Sequence, residues 1–329
     1  MGLLIEGKWS KEWYAPDEMG RFIRSEAAFR DYVTADGSSG FKAEPQRYHL
    51  YVSHACPWST RAVILRELKG LQDAIGMSVV DPFMGDDGWH FSDGPGCTED
   101  QVNHKQFMHE VYTLAKPEYT GRVTVPVLWD KQTGRIVNNE SRDIIRMLDK
   151  EFDAFAKNDV DYCPIEIKDA VDEMITRNYG SVNDGVYRAG FSTTQTAYEE
   201  AANALFIALD HLEDLLGRQR YLLGNTITEA DWCLFVTLYR FDSVYYNHFK
   251  CNLRRIQDYP NLWAYTRDLY QQPGVADCCF MDHVKTHYYR SHPTINPTRI
   301  VPIGPVIDFN APHDRARFSR DTKQFKAVK

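Results

Sequence analysis

Arg47-Tyr48-His49-Leu50-Tyr51-Val52-Ser53 has the composition of a strand, and Cys56-Pro57-Trp58-Ser59 follows it where a helix begins. Pro57 suits the first turn of that helix, and the amphipathic run from Arg61 to Leu68 ends at Gly70. A cysteine at this junction meets unpaired backbone N–H groups and the positive end of the helix dipole, which stabilise its thiolate. The sequence therefore predicts a nucleophilic thiol at Cys56 with a pKa below the free value of about 8.5.

Ser59 stands where a dithiol redox motif has its second cysteine. A mixed disulfide at Cys56 then has no resolving thiol beside it, so an external thiol must release it. We expect the Ser59 hydroxyl to tune the thiol without changing the class of reaction. The alternative from local sequence alone is a buried structural cysteine or an incidental helix cap at Cys56.

Strand and helix patterns around this junction predict the order β-α-β-α-β-β-α. The later elements are a strand at 78–81, a loop rich in Gly, Asp and Pro at 82–100, a helix at 101–115, a strand at 123–129, a returning strand at 135–137 and a helix from 139 to about 150. Pro126 is a candidate cis-proline, which would leave the backbone of Val125 free to pair with an extended peptide. Glu140 and Ser141 would supply helix N-terminal amides and a hydroxyl for a carboxylate. An ordinary strand-start proline and an ordinary helix cap are the alternative for these residues.

The pattern changes to long helices after Pro164. Helices are predicted at about 165–180, 196–217, 229–248, 260–271 and 274–289. Thr228-Glu229-Ala230-Asp231 precedes the third of these as a capping box, in which Thr228 accepts from the third helical N–H and Asp231 reaches back. We divide the chain into an N-terminal arm (1–45), a first domain (46–152), a helical domain (165–290) and an extended C-terminal tail (291–329) that is partly disordered at its end.

Length and composition indicate a soluble globular protein of two domains. The chain has 329 residues, of which 43% are hydrophobic and 26% charged, and 38 Lys and Arg face 46 Asp and Glu for a net charge of −8. The negative charge argues against a nonspecific nucleic-acid binder, and no apolar stretch approaches about 18 residues, so no membrane span is expected. Seven cysteines, an odd number, and an N-terminus without a secretory signal pattern predict a reducing, cytoplasmic setting.

Cys279, His283 and His287 recur every four residues, which would place them on one face of a helix with Cys278 adjacent. Thiolates and imidazoles at that spacing suit zinc. No fourth ligand is evident, and the histidines also flank Tyr288, so we predict no metal site.

Several motifs together resemble one enzyme family. They are Cys56-Pro57-Trp58, Arg122-Val123-Thr124-Val125-Pro126, Asn139-Glu140-Ser141, Gly185-Val186-Tyr187-Arg188-Ala189-Gly190-Phe191, Thr228 to Asp231 and His287-Tyr288-Tyr289-Arg290-Ser291-His292. With the long arm and tail, the chain resembles the glutathionyl-hydroquinone reductases, the Xi class of glutathione transferases, from the arm to about Pro305. The resemblance implies an α/β thioredoxin-like N-terminal domain, an all-α glutathione transferase C-terminal domain and an active site in the cleft between them.

The resemblance also implies a role for each matching residue. Cys56 matches the nucleophile, and Tyr187 matches the residue that exchanges a proton with the quinol oxygen. Tyr245 and Tyr288 match tyrosines that help to hold the cysteine as thiolate. The positions that hold glutathione are matched by Trp89, Arg122, Val123, Thr124, Val125, Glu140 and Ser141.

The reaction expected from the resemblance is glutathione-dependent reduction of glutathionyl-hydroquinones to hydroquinones, through a mixed disulfide between Cys56 and glutathione. Glutathione is then a co-substrate, glutathionylated quinols are the substrates, and a homodimer is implied. One alternative is an omega-like glutathione thioltransferase acting on disulfides, which shares Cys56 but does not need the tyrosines. Another is a non-enzymatic protein of the same fold, against which intact Cys56, Trp89, Glu140 and Tyr187 argue.

Overall fold

Short strands tie the N-terminal arm to the rest of the chain. The structure is a computed structural model, and it describes residues 2–318. The arm contains β1 (Leu3–Ile5), β2 (Lys8–Ser10), β3 (Val33–Thr34) and β4 (Phe41–Lys42). β1 pairs antiparallel with β2 and with β7 (Gly121–Arg122), so the arm lies beside the motif that contains Arg122. None of the strands predicted from the sequence lies in the arm, because elements this short show no alternation of apolar and polar residues.

A four-stranded mixed sheet forms the centre of the N-terminal half. Its strands are β5 (Tyr48–Val52), β6 (Gly76–Val79), β8 (Val127–Asp130) and β9 (Arg135–Asn138), in the order β6-β5-β8-β9. β5 is parallel to β6 and antiparallel to β8, and β8 is antiparallel to β9. The strand predicted at 123–129 begins only at Val127, because Pro126 has no N–H to give to the ladder.

Helices cover both faces of this sheet, and β5 is accordingly buried along its whole length. α1 (Pro57–Leu68) and α3 (Ser141–Lys150) pack together on the face that holds Leu50. α2 (Met108–Ala115) packs on the opposite face, which holds Tyr51. The predicted alternation of strands and helices is therefore confirmed.

The helix predicted at 101–115 forms only from Met108 onward. The carboxylate of Asp100 accepts the backbone N–H groups of Val102, Asn103 and Lys105, at 3.0 to 3.1 Å. These bonds hold the preceding segment in turns, since a side-chain acceptor competes with the helical hydrogen bonds.

The C-terminal half consists of helices. They are α4 (Lys168–Asn178), α5 (Gly185–Gly190), α6 (Gln195–Leu216), α7 (Glu229–Arg240), α8 (Pro260–Tyr270) and α9 (Met281–Ser291). The helices predicted at 165–180 and 229–248 are interrupted, because π-helical turns at 179–183 and 241–245 follow α4 and α7. α9 begins at Met281 rather than at residue 274, after a 3₁₀ turn at 276–278. The predicted capping box opens α7, where Asp231 accepts the N–H of Thr228 at 2.8 Å.

The two halves are joined by helix packing and by buried hydrogen bonds. α1 packs against α7, and Arg146 of α3 donates to the buried carboxylate of Glu229 at 2.8 Å.

After α9 the tail follows the surface, and Arg315 anchors it by donating to the carbonyl of Leu216 at 2.7 Å. Residues 319–329, where the sequence predicts a disordered end, lie outside the described part of the chain. Of the helices within residues 2–318, none has both the length and the apolar character needed to cross a bilayer.

Candidate active site

Cys56 lies at the N-terminus of α1, directly after the segment that leaves β5. It is the N-cap residue, and Pro57 opens the first turn behind it, as the sequence predicted. The side chain is 8% exposed, and its thiol donates to the carbonyl of Val125 across 3.4 Å. The thiol is therefore enclosed between the start of α1 and the segment that precedes β8.

Burial, more than the helix terminus, decides the ionisation of Cys56. It raises the pKa of the thiol, because removal from water penalises the charged thiolate. The backbone amides of Trp58 and Ser59, the Ser59 hydroxyl and the charge of Arg240 lower this pKa without reversing the shift. The contact with the Val125 carbonyl also favours the protonated thiol, since a carbonyl accepts a proton and cannot donate one. The prediction of a lowered pKa for Cys56 is therefore wrong in this arrangement.

The segment before β8 turns its backbone towards Cys56. The Val125–Pro126 peptide is cis, as predicted. Thr124 is held in place by the phenol of Tyr112, which donates to the Thr124 carbonyl at 2.9 Å. The carbonyl of Val125 faces the thiol of Cys56, so this segment presents a backbone edge at the site.

A cleft of about 750 Å³ opens beside the N-terminus of α3. Five of the residues predicted to hold glutathione line it: Arg122, Thr124, Val125, Glu140 and Ser141. Glu140 is the N-cap residue of α3, and its carboxylate accepts the N–H of Arg142 at 3.0 Å. The buried Arg61 donates to the Ser141 hydroxyl at 3.2 Å. The cleft thus combines a backbone edge with a helix N-terminus, a pair of features that fits a short peptide with a free carboxylate.

A smaller cavity of about 80 Å³ adjoins Cys56 on the side of the helical half. Its lining includes eight of the predicted residues: Cys56, Trp89, Arg122, Val123, Thr124, Val125, Tyr187 and Tyr288. Trp89 is fixed by stacking on His287, with 4.7 Å between ring centroids. The structure therefore brings the predicted nucleophile and the predicted proton-exchanging tyrosine to one enclosed space.

Three buried tyrosines, two of which line this cavity, are linked by hydrogen bonds between their hydroxyl groups. Tyr187 and Tyr288 share a short hydrogen bond between their phenol oxygens, and Tyr245 and Tyr288 share another of 3.0 Å. Burial raises the pKa of all three phenols, so they remain protonated at neutral pH. Within the described residues, the hydrogen bonds of Tyr245 and Tyr288 go to phenol oxygens and none reaches the sulfur of Cys56. The structure therefore offers no direct contact for the thiolate-holding role expected of these two residues.

The N-terminal arm forms a wall of the small cavity that the sequence did not predict. Tyr14, Phe22 and Arg24 line it together with Cys56. The Nε of Arg24 donates to Asp184 at 2.5 Å, and its guanidinium lies 4.6 Å from the centre of the Tyr187 ring. No sequence pattern signals such contacts, because Arg24 and Asp184 are 160 positions apart.

Arg122 is hydrogen-bonded to the same arm. Its guanidinium donates to the carbonyls of Glu12 and Trp13 at 2.6 and 2.8 Å, and it lies 4.1 Å from the centre of the Tyr14 ring. Arg122 therefore anchors the arm across the site while it lines both cavities. Its direct contact with glutathione stays a prediction.

Aromatic residues of the helical half close the rest of the small cavity. Phe191, His287 and His292 line it. The sequence had assigned no role to Phe191 and His292 and had considered His287 only as a possible zinc ligand. Burial lowers the pKa of His287 to about 3 and that of His292 well below its ordinary value, so both rings are neutral. The motif from His287 to His292 was the signal in the sequence that this segment belongs to the site.

The alternative zinc arrangement does not form. Cys279 precedes α9, so it cannot share a helical face with His283 and His287. His283 contacts the carbonyl of Pro95 through Nε2, and His287 contacts that of Pro82 through Nδ1. Within residues 2–318 no group of three or more His, Cys, Asp or Glu side chains is placed to hold a metal ion.

Comparison with protein families identifies both halves of the chain. Residues 55–151 match the N-terminal domain of glutathione S-transferase, and residues 195–268 match its C-terminal domain. The predicted fold class, a thioredoxin-like α/β domain followed by an all-α domain, is confirmed.

Individual proteins are similar over almost the whole chain. Glutathionyl-hydroquinone reductase YqjG from Escherichia coli (strain K12) is 50% identical, over 96% of this chain and 98% of its own length. Glutathionyl-hydroquinone reductase PcpF from Sphingobium chlorophenolicum is 49% identical, over 93% and 97% of the two chains. The solved structure of a Xi class glutathione transferase from Natrialba magadii superposes with a TM-score of 0.90 at 49% identity, covering 97% of both chains. With a glutathione transferase domain in each half and close similarity to these proteins throughout, this chain belongs to the Xi class of the glutathione S-transferase family.

Proposed function

We propose that the protein is a glutathionyl-hydroquinone reductase, which uses glutathione to release free hydroquinone from a glutathionyl-hydroquinone. The similar proteins YqjG and PcpF carry this name. The observation that carries the proposal is the small cavity that Cys56 and Tyr187 line together. Cleaving an aryl thioether needs a nucleophile for sulfur and a proton donor for oxygen, and these two side chains supply both.

Glutathione would lie in the large cleft, with its sulfur directed towards Cys56. The α-carboxylate of its glutamyl part would bind at the N-terminus of α3, where Ser141 offers a hydroxyl and Glu140 a carboxylate for the adjacent amino group. Its peptide backbone would pair with Val125, while Trp89, Arg122, Val123 and Thr124 enclose it. Such pairing would take the Val125 carbonyl away from the Cys56 thiol and so favour the thiolate.

The first chemical step joins two sulfur atoms. The Cys56 thiolate attacks the glutathione sulfur of the conjugate in its keto form, so that an S–S bond forms as the bond between sulfur and the ring carbon breaks. The bonding pair of electrons returns to the ring, which becomes aromatic, and the carbonyl oxygen becomes a phenol on receiving a proton. Tyr187 gives this proton, and its bond with Tyr288 supports the phenol oxygen that loses it.

The second step releases the enzyme. A glutathione thiolate attacks the glutathione sulfur of the mixed disulfide, which forms glutathione disulfide and restores the Cys56 thiolate. An external thiol is needed because Ser59 stands where a resolving cysteine would be. Overall, one conjugate and one glutathione give one hydroquinone and one glutathione disulfide.

The same reading extends to assembly and location. We infer a homodimer from the resemblance to the Xi class. We infer a cytoplasmic location because the seven cysteines are unpaired, as is usual in a reducing compartment. We also retain the division into an arm (1–45), a glutathione-binding domain (46–152), a helical substrate domain (165–290) and a tail (291–329). The two matched family regions, 55–151 and 195–268, lie inside the two proposed domains.

One assay tests the function. The protein is incubated with a glutathionyl-hydroquinone and excess glutathione while release of hydroquinone is followed by liquid chromatography. A small glutathione mixed disulfide is reduced in parallel by the same preparation. We expect the glutathionyl-hydroquinone to be the better substrate, whereas a clear preference for the disulfide would replace this proposal with a thioltransferase.

A further inference from the structure

A buried arginine lies directly behind the loop that carries Cys56. Arg240 is the last residue of α7, and it is 1% exposed. Its guanidinium donates to the carbonyls of His54 and Ala55, each at 3.1 Å. A third bond of 2.7 Å goes to the hydroxyl of Thr60, which in turn donates to the carbonyl of Cys56. Arg240 therefore holds the nucleophile's loop from both sides of the thiol.

The partners of this charge are neutral. Besides the groups named above, Nη1 of Arg240 donates to the carbonyl of Val236 at 2.8 Å. Among residues 2–318 no carboxylate oxygen lies within 4.0 Å of its guanidinium nitrogens. A buried cation is costly unless an anion balances it, and Arg240 is surrounded by groups that become anionic only by ionising. The ionisable groups near it are two thiols and three phenols, those of Cys56, Cys279, Tyr239, Tyr245 and Tyr288. A thiol has the lower ordinary pKa, about 8.5 against about 10 for a tyrosine. Of the two thiols, Cys56 is the one whose loop Arg240 holds by hydrogen bonds.

Other ionisable groups also face Cys56 from the surrounding elements. Seven of them line the small cavity together with Cys56, namely Tyr14, Arg24, Arg122, Tyr187, His287, Tyr288 and His292. Tyr245 also interacts with the thiol through charge, and the buried His54 precedes Cys56 by two residues. Arg24 is paired with Asp184, and Arg122 is bound to the arm. Burial keeps the three histidines neutral and the tyrosines Tyr187 and Tyr288 protonated. Arg240 is the charged side chain that acts on Cys56 in favour of the thiolate.

We propose that Arg240 is a positioning residue that acts through Cys56, holding the loop that carries the thiol and supplying the positive charge that balances its thiolate. The inference rests on the proposed function, in which Cys56 is the nucleophile. It also accounts for a nucleophile placed where burial opposes its ionisation, because a fixed charge inside a water-poor site acts more strongly than one in solvent.

The test compares Arg240→Gln and Arg240→Lys with the wild-type protein. Arg315→Gln is the matched control, because Arg315 is also buried and also donates to backbone carbonyls, but in the C-terminal tail. Alkylation of Cys56 by iodoacetamide is followed between pH 6 and 10 by peptide mass spectrometry, which separates Cys56 from the other six cysteines. Because only the thiolate reacts, the rate below the midpoint reports the ionised fraction.

We expect the pH midpoint for alkylation of Cys56 in Arg240→Gln to rise by about one unit. At pH 7.5 this variant should therefore be alkylated about tenfold more slowly than the wild-type protein. Arg240→Lys should stay within about 0.3 unit of the wild-type protein because it keeps the charge, and Arg315→Gln should not move. Turnover of glutathionyl-hydroquinone by Arg240→Gln should recover as the pH is raised, which a merely structural defect would not allow. An unchanged midpoint in Arg240→Gln would overturn the inference.

The Arg240→Lys variant and the alkylation assay keep the test decisive if Arg240→Gln does not fold or if turnover is absent. If Arg240→Gln does not fold, Arg240→Lys decides, because a rise of one unit in that charged variant means that charge is not what matters. The alkylation assay needs no turnover, so it is independent of the substrate. Failure of the wild-type protein to release hydroquinone therefore overturns the proposed function, whereas a normal wild-type activity with an unmoved midpoint overturns only the role of Arg240.

Discussion

The phenol oxygens of Tyr245 and Tyr288 lie 3.0 Å apart, and Tyr288 is bonded in turn to the phenol of Tyr187. Tyr187 and Tyr288 line the small cavity, whereas Tyr245 does not. A chain of this kind places a proton donor at its open end and supports it with donors from behind. The tyrosines are thus arranged for chemistry at an oxygen atom, whereas Cys56 is arranged for chemistry at sulfur.

Changing Cys56 to Ser should abolish turnover of a glutathionyl-hydroquinone, because the alcohol is far less nucleophilic at neutral pH. Intact-protein mass spectrometry should show a glutathione adduct on the wild-type protein and none on Cys56→Ser. Cys97→Ser is the control, since Cys97 is half-buried and outside the lining of both cavities. Substantial turnover by Cys56→Ser would contradict the mechanism.

Tyr187→Phe should separate the proton transfer from the sulfur chemistry. The ring is kept, so its packing on Phe249 at 5.4 Å is preserved, and only the hydroxyl is lost. Loss of general acid–base help costs about a hundredfold to ten-thousandfold in rate, and we expect that loss for the glutathionyl-hydroquinone. Reduction of a small disulfide by the same preparation should fall much less. Equal losses for both substrates would assign Tyr187 to glutathione binding or to the fold.

Tyr288→Phe removes the partner of the Tyr187 phenol without touching the sulfur. Turnover of the glutathionyl-hydroquinone should fall about tenfold, the equivalent of roughly 1.4 kcal/mol for one hydrogen bond. The pH midpoint for alkylation of Cys56 should stay where it is, because the Tyr288 hydroxyl bonds to phenols. Tyr198→Phe, which removes a hydroxyl bonded to the carbonyl of Lys250, is the control. A midpoint that rises in Tyr288→Phe would restore its expected role in holding the thiolate.

The wild-type thiol should itself react with iodoacetamide only at alkaline pH in the absence of glutathione. Burial raises the pKa of Cys56, so the midpoint should lie above the free-thiol value of about 8.5. Addition of a glutathione analogue without a sulfur, such as ophthalmic acid, should lower it by occupying the Val125 carbonyl. A midpoint below pH 7 without any ligand would show that the helix N-terminus outweighs burial.

Gly190 allows α5 to approach the aromatic ring of Phe249 beside the site. A Cβ atom added at Gly190 would lie 2.2 Å from the Phe249 ring, which is well inside contact distance. We therefore expect Gly190→Ala to lower the free energy of unfolding by about 1–3 kcal/mol, the usual cost of overpacking. Gly180→Ala is the control, since a Cβ there meets nothing within 4 Å. Thermal unfolding would measure both, and equal melting temperatures would contradict the tight contact.

The sequence by itself determined the features that depend on neighbours along the chain. The position of Cys56 between β5 and α1 and the capping box at Thr228 and Asp231 each follow from a few consecutive residues. The cis peptide before Pro126 was expected from the place of this proline in the order of strands and helices. The resemblance of several motifs to one family added the fold class and the residues predicted to bind glutathione or to take part in catalysis, because each motif is itself a short stretch of sequence. Element lengths were predicted less well where a side chain such as that of Asp100 redirects the backbone.

Only the tertiary structure decided the electrostatics of the site. Whether the Cys56 thiol ionises depends on how deeply it is buried and on Arg240, which lies 185 positions from the Ala55 carbonyl that it holds. Tyr288 bonds to Tyr187 and Tyr245, which lie 101 and 43 positions away in the sequence. Arg24 of the arm bonds to Asp184, which lies 160 positions away. Burial and charge act through space, so a sequence pattern that predicts a thiol at a helix terminus cannot predict what surrounds it.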